Sequence, residues 1–411
     1  MLLLSHPTGN ANVRGAISAL EQAEKLSLYQ TTVAVHQSDW YFKLLPTAVK
    51  QELLRRTYPL PRCKINQHPF RELARLVSLK IGLQFLITHE TGWASIDSVY
   101  GSLDRILAKQ LTTYYKKYQI AGVYCYEDAA IYTFKAAKKL GLTCFYDLPI
   151  GYWKMGQIIQ QEEAELNPEW SSTLQANFDS ADKLARKDIE LQMSDVVLVA
   201  SSFTRQTLQL APDFKAPVVC IPYGAPCSYT EVVNRHKLNE NKLKVLFVGS
   251  LSQRKGISYL LDAVEQLGDR AELTLIGRFN QLCSPLEQAL VTHRWIASLP
   301  HQQVLQEMSH HDVFVFPSLF EGFGLVILEA MAQGLPVITT PHTAGPDIIT
   351  DGEDGFIVPI RSAEAIAQKL NLLASNRKRL LEMSQAALQK ASQYTWKRYG
   401  ECLVKTIQNY V

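Results

Sequence analysis

The sequence lacks any apolar run near the roughly 20 residues needed to span a bilayer, and its opening MLLLS is too short for a secretory leader. It has no Cys-x-x-Cys. Its seven cysteines are an odd number, and several lie in apolar strand-like runs where a free thiol acts as a small hydrophobe. That usage predicts a reducing cytoplasm and argues against secretion. Charge of either sign is not in excess: 42 Lys and Arg against 39 Asp and Glu leave +3 over 411 residues, too little for the basic footprint of a nucleic-acid binder. There is no H-E-x-x-H, no D-x-D at a strand end and no Cys/His ligand cluster, so no metal or other cofactor is expected. His310 and His311 are adjacent and would point apart on a helix. The absence of G-x-S-x-G argues against a hydrolase elbow, and that of G-x-G-x-x-G against a dinucleotide dehydrogenase. No repeat at a solenoid period and no low-complexity tract is present.

What is there is organised around residues 313–340, VFVFPSLFEGFGLVILEAMAQGLPVITT. The continuous apolar run 313–316 predicts a parallel strand buried on both faces. Pro317 and Ser318 end it, and Gly322 and Gly324 give the following loop backbone freedom. A helix is predicted over 325–333, stopped by Gly334 and Pro336, and a strand over 337–340. Glu321 stands in the loop and Glu329 in the helix. Helical side chains lean toward the N-terminus, so both carboxylates can face the space beyond the strand's carboxyl end, where open α/β sheets bind ligands. The amides of Phe323, Gly324 and Leu325 have no helical partner and suit an anion. The plainer alternative is a βαβ unit with two surface glutamates.

The stretch PSLFEGFGLVILEAMAQGLPVI resembles the E-x7-E signature of retaining glycosyltransferases of glycosyltransferase family 4, which have the GT-B fold. The resemblance rests on both glutamates, the Gly-Phe-Gly between them and the Glu-Ala-Met-Ala-x-Gly-x-Pro-Val tail. It implies an α/β protein of two Rossmann-like domains with parallel sheets facing a central cleft. It also implies a nucleotide-diphosphate sugar as donor and a glycan, lipid or small-molecule hydroxyl as acceptor. Glu321 would lie by the donor sugar and Glu329 would hold the ribose.

The remaining chain agrees with alternating strands and helices. Strand-like runs occur at 2–5, 31–36, 122–126, 142–147, 196–201 and 217–221, then at 244–248, 272–276, 293–298, 313–316, 337–340 and 356–358. The polar segment EVVNRHKLNENK suggests a boundary. The expected domains are 1–227, acceptor-binding, and 243–394, nucleotide-sugar-binding, with a linker at 228–242. The resemblance implies that a final helix, 395–411, crosses back to the first domain. The polar run 160–195 reads as a helical hairpin without assigned chemistry.

Candidate site residues follow strand ends. Gly9 and Asn10 match loosely the family's glycine-rich donor loop, and fit a simple βα turn equally well. Tyr126 stands where many relatives have a histidine beside the reacting sugar. Glu127 and Asp128, next to it, could bind acceptor hydroxyls or cap a helix. In VLFVGSLSQRKGI, relatives place an Arg directly after the glycine; here Gly249 is followed by Ser250. Lys255 fits the family's diphosphate-binding lysine, and Arg254 is a candidate for the second charge. Gly277, Arg278 and Leu299 are expected near the base and ribose. His6, His36 and His89 are read as structural, and Asp347 as a turn or cap. Basic clusters at Lys109, Lys116 and Lys117, beside Tyr114 and Tyr115, and at Arg55, Arg56 and Arg62, leave peripheral contact with the inner face of a membrane open. A nucleotide-sugar epimerase of the same fold, which needs no acceptor, and a non-catalytic sugar-nucleotide-binding scaffold are the alternative readings.

Overall fold

A computed structural model describes residues 1–36, 39, 50, 53–54, 56–174, 179–226 and 242–411. The first sheet has seven parallel strands: β1 (Leu2–Ser5), β2 (Leu26–Thr31), β3 (Ile65–Gln67), β4 (Gly122–Tyr126), β5 (Thr143–Leu148), β6 (Val196–Val199) and β7 (Val218–Cys220), in the order β3-β2-β1-β4-β5-β6-β7. The second has six: β8 (Leu243–Val248), β9 (Ala271–Ile276), β10 (Arg294–Ile296), β11 (Val313–Phe316), β12 (Val337–Thr339) and β13 (Gly355–Ile357), in the order β10-β9-β8-β11-β12-β13, also all parallel. The central strands β1 and β11 are buried along their whole length, as their apolar runs 2–4 and 313–316 require when helices cover both faces. In each sheet the strand order reverses once, between β1 and β4 and between β8 and β11. Such switch points open a crevice at the carboxyl ends of the strands.

Two strand assignments differ from the expectation. The second strand is Leu26–Thr31, not 31–36, and two of its buried polar side chains, Gln30 and Thr31, find partners in the fold. Gln30 Nε2 donates to the Leu103 carbonyl at 3.4 Å, and Thr31 Oγ1 to that of Pro7 at 3.2 Å. β3 is a three-residue edge strand whose INQ carries almost no apolar signal. The run 160–195, of which 175–178 lie outside the described residues, takes in the second part of helix Trp153–Leu166, a tight turn at Pro168–Thr173 and helix Ala181–Met193. Positions 228–241 of the expected linker, together with Arg55, lie outside the described residues.

The last helix, Trp396–Gln408, packs on the first helix, Ala11–Gln22. Gly15 and Gly400 allow the approach: a Cβ on Gly15 would stand 2.5 Å from the Trp396 ring, and one on Gly400 would stand 2.8 Å from Ala19 Cβ. The chain's end is therefore anchored on the first sheet, where Thr143 Oγ1 donates to the Tyr410 carbonyl at 3.2 Å.

The two sheets are also tied side to side. Glu163, fully buried on helix Trp153–Leu166, accepts from Gln253 Nε2 (2.8 Å), Tyr259 OH (2.8 Å) and Arg361 Nε (2.8 Å) of the second half. Phe320 inserts beside Gly151 and Gly156, whose Cβ atoms would lie 2.6 and 3.0 Å from its ring. A Cβ on Gly322 would lie 1.8 Å from the Pro149 carbonyl oxygen, so only glycine permits this crossing. Among the described residues no helix is long and apolar enough to cross a membrane.

Candidate functional site

Between the sheets lies an open cleft of about 690 Å³, built from loops at both switch points. The first sheet contributes Asn10 and Asn12 after β1, Pro149 after β5 and Tyr223. The second contributes Gly249 and Ser250 after β8, Lys255, Leu299 and His301, and the loop and helix start carrying Glu321, Phe323, Gly324, Leu325 and Glu329. The helix Leu325–Ala332 begins at the cleft on Gly324, which has φ 79°; no side chain caps it. Its first-turn amides are thus unclaimed by any capping side chain, and the positive end of its dipole faces the space.

Two cations approach this space from the turn after β8. Lys255 is 8 % exposed; its ammonium contacts Glu321 Oε2 and sits 4.8 Å from the centre of the Phe316 ring. Burial, and then the neighbouring Arg254 guanidinium, hold the Lys255 amine well below its ordinary range. Arg254 Nη1 donates to the Phe320 carbonyl at 2.7 Å and stands 3.7 Å from Glu321 Oε2. Burial lowers its guanidinium to about 10. Two desolvated cations thus share the single carboxylate of Glu321, and the cleft keeps an excess of positive character that an anion would relieve.

In the same half of the cleft Glu329 Oε1 meets His301 Nε2 at 2.8 Å. That hydrogen bond raises the His301 imidazole above its ordinary range, against the opposing effect of burial. His301 opens the helix His301–Ser309, just after Leu299 and Pro300. Sequence reasoning missed it, along with Asn12 and Tyr223, although a histidine one residue past a Leu-Pro strand end was a readable signal. Asn12 Nδ2 donates to Tyr223 OH at 3.2 Å, and Tyr223 packs on Phe323 with ring centres 5.1 Å apart. This triad joins the two halves at the cleft.

The other candidates fall elsewhere. Gly9 lies under Tyr58, where a Cβ would be 2.3 Å from its ring, and is not on the cleft wall. Gly277 supports the wall from behind, with room for no side chain against the Gly249 carbonyl oxygen 1.7 Å from its Cβ position. Arg278 is exposed; its carbonyl accepts from Leu251 N at 2.9 Å. Arg254 reaches the site only through the Phe320–Glu321 loop. Tyr126 is not on the cleft wall: it is buried 4.7 Å from His6, and its hydroxyl has no hydrogen-bond partner. Burial drives its phenol far upward and lowers His6 to about 3, so both are neutral core groups near neutral pH. Nearby Asp147, accepting from Tyr124 OH at 2.6 Å, is raised by burial to about 7.

Glu127 and Asp128 belong to an ion-pair network rather than to the cleft. Lys187 Nζ lies 3.5 Å from Glu127 and 3.6 Å from Asp128, and Arg186 lies 3.3 Å from Asp128. Beneath them Glu190 accepts from the amides of Asp128, Ala130 and Ile131 at 2.9, 3.1 and 3.2 Å. It therefore caps the next helix, and burial raises it to about 8. Among the described residues, one group of three side chains brings ligand-type atoms within 4.8 Å: His89, Glu90 and Asp179. Lys183, 2.8 Å from Asp179, already supplies a cation there.

Known proteins resemble the chain at two levels. A family model described as glycosyl transferases group 1 matches residues 228–390. The sucrose synthase of Acidithiobacillus caldus is 41% identical over 121 residues, which are 27% of this chain and 15% of that protein. The phosphatidyl-myo-inositol mannosyltransferase of Mycobacterium leprae is 36% identical over 140 residues, 32% of this chain and 37% of that one. The matched segments thus span well under half the length of these curated relatives. Solved structures match over nearly the whole chain. Sucrose-phosphate synthase from Thermosynechococcus elongatus superposes with a TM-score of 0.68 at 17% identity, covering 99% of this chain and 98% of that one. Anabaena HepE, solved with UDP and glucose, gives 0.64 at 16% identity, covering 99% of each. The fold is GT-B.

The His301–Glu329 contact has a direct readout. In an NMR pH titration the His301 imidazole is expected to titrate above the ordinary histidine range, and Glu329→Gln is expected to lower it by removing the charge that favours the protonated ring. A midpoint unmoved by the substitution would show that Glu329 does not hold His301 in solution.

Proposed function

We propose that the protein is a retaining glycosyltransferase of glycosyltransferase family 4, moving a sugar from a nucleotide-diphosphate donor to a hydroxyl of a glycan, lipid or small molecule in a reducing cytoplasm. The observation that carries this reading is the convergence of Lys255, Glu321, Glu329 and the uncapped helix at Gly324 on one cleft of a GT-B fold. The family match over residues 228–390 and the UDP-bound HepE neighbour support the donor class.

The proposed steps use this chain's own groups. A diphosphate entering the cleft meets the Leu325–Ala332 amides and replaces Glu321 as the counter-ion of Lys255. Glu321, released from that contact, turns to the sugar and stabilises positive charge growing at the anomeric carbon. Arg254 holds the Phe320–Glu321 loop from behind. Glu329, oriented by His301, accepts from the ribose hydroxyls. Charge developing on the departing diphosphate is met by preorganised groups, usually the largest catalytic term. The acceptor approaches from the first sheet, past Asn10, Asn12 and Pro149.

Glu321→Gln keeps the shape of a loop side chain and removes its charge, so the protein is expected to fold while transfer slows by about 10² to 10³. Turnover is measured with a panel of nucleotide sugars and acceptors, following the anomeric configuration of the product. A folded variant with wild-type turnover contradicts the role of Glu321. Donor consumed without an acceptor points instead to an epimerase, and binding without turnover to a scaffold.

Transfer is also expected to survive exhaustive chelation. Lys255 and the helix dipole supply the positive charge that the departing diphosphate needs, and Glu329 is engaged by His301. Activity lost to chelator and restored by Mg²⁺ or Mn²⁺ contradicts the metal-free route.

A further inference from the structure

The helix Phe70–Ile81 is inside out. Its inward face is polar: Glu72 and Ser78 are 1 and 2 % exposed, and Glu72 is paired with Arg56 at 2.8 Å and with Arg75 at 2.7 Å. Its outward face is apolar, with Phe70 83 %, Val77 54 % and Ile81 63 % exposed. These positions follow helical spacing and form one stripe. Phe85, 70 % exposed on the next short helix, extends it. Trp93, 50 % exposed, stands beside the helix start with the Arg71 guanidinium 4.8 Å over its ring, and Ile96, 58 % exposed, opens the helix that follows. A helix that buries an ion pair and exposes its hydrophobes has its apolar partner elsewhere.

Charge identifies that partner. Between Arg62 and Lys117 the sequence has nine Lys and Arg against four Asp and Glu. All four acids are already engaged: Glu72 as above, Glu90 by the Ser180 amide at 2.8 Å, Asp97 by Lys183 at 2.9 Å, and Asp104 by the Tyr132 and Thr133 amides at 2.8 Å each. Lys80 at the end of the stripe, and Lys109, Lys116 and Lys117 on the neighbouring helix Ile96–Tyr118, are exposed. An apolar stripe with a tryptophan at one end, Lys80 at the other and exposed lysines on the neighbouring helix matches an anionic bilayer surface, where aromatic and aliphatic groups enter the headgroup boundary and cations meet lipid phosphate.

We propose that the face formed by Phe70, Val77, Ile81, Phe85, Trp93 and Ile96 docks this protein on anionic lipid. This surface adds an apolar stripe to part of the basic clusters legible in sequence. Of those, Arg56 is buried in its ion pair, and the Tyr114 hydroxyl is hydrogen-bonded to Asn66 at 2.6 Å. Docking has a consequence for orientation. The helices beginning at Phe70 and Ile96 both start at the carboxyl ends of the first sheet's strands, the edge that borders the cleft. The acceptor half of the cleft would then face the lipid–water boundary.

Co-sedimentation of the full chain with phosphatidylcholine vesicles, with and without phosphatidylglycerol, tests this. Binding to the anionic vesicles is expected, weakening as salt rises. Val77→Asp with Phe85→Asp is expected to cut partitioning about tenfold or more while circular dichroism stays unchanged. Lys80→Glu with Lys109→Glu is expected to weaken binding to the anionic vesicles only. The proposal is overturned if wild type stays in the supernatant with both vesicles, or if the Asp pair partitions like wild type. It is also overturned if the chain sediments alone as a dimer that Val77→Asp splits, which would make the stripe a contact between copies. Vesicle binding needs no sugar nucleotide, so its failure is distinct from failure of the transferase reading.

Discussion

The Lys255 ammonium is held out of water against the Phe316 ring, with Glu321 as its counter-ion and the Arg254 guanidinium close by. An unpaired buried cation costs several kcal/mol, so the loop carrying Glu321 must stay on the turn carrying Lys255 until another anion arrives. Much of the local architecture serves that contact. Gly256, at φ 69°, turns the chain against the Pro317 carbonyl oxygen, which a Cβ would approach to 2.1 Å. The Arg254 carbonyl accepts from Leu319 N at 2.9 Å and fixes the opposite end of the loop. The site is therefore preorganised in charge before any ligand enters it.

The same loop also joins the two sheets. Phe320, one residue before Glu321, is buried against Gly151 and Gly156, and the Gly322 carbonyl, one residue after it, accepts from Thr204 Oγ1 at 2.9 Å. Glu321 is thus bracketed by two contacts to the other half of the protein. A change in how the halves meet would be felt at its carboxylate. Glu163, with its three donors from the second half, is the polar counterpart of the Phe320 plug. A satisfied buried carboxylate fixes a unique arrangement more sharply than apolar packing alone.

How much of this was legible depended on the physical range of the signal. Strands such as Val313–Phe316 and helix Leu325–Ala332 announce themselves through local apolar pattern and glycine placement, and Glu321, Glu329 and Lys255 stand at fixed offsets from them. Strand Leu26–Thr31 was displaced because Gln30 and Thr31 find carbonyl partners on a distant helix and on the loop after β1, which no local pattern encodes. Tyr126, Glu127 and Asp128 stand at a strand end as expected, but the two carboxylates are held there by Lys187 and Arg186, some sixty residues downstream, and Tyr126 is buried against His6. The pairing of His301 with Glu329 and the inverted helix at Phe70 likewise depend on tertiary neighbours. Arg254 shows the limit of position: adjacent to Lys255 in sequence, it donates to the Phe320 carbonyl and stands behind Glu321 rather than on the cleft wall.

The central claim is that Lys255 and the uncapped helix at Gly324 await a diphosphate. Isothermal titration calorimetry with UDP, GDP and ADP, each beside its nucleoside, tests it in wild type and in Lys255→Ala. One diphosphate is expected to bind more tightly than its nucleoside. Lys255→Ala is expected to erase most of that difference, about 1.5–3 kcal/mol for a charge-assisted contact. A wild-type protein that binds nucleoside and diphosphate equally, or a variant that keeps the full preference, would contradict the account.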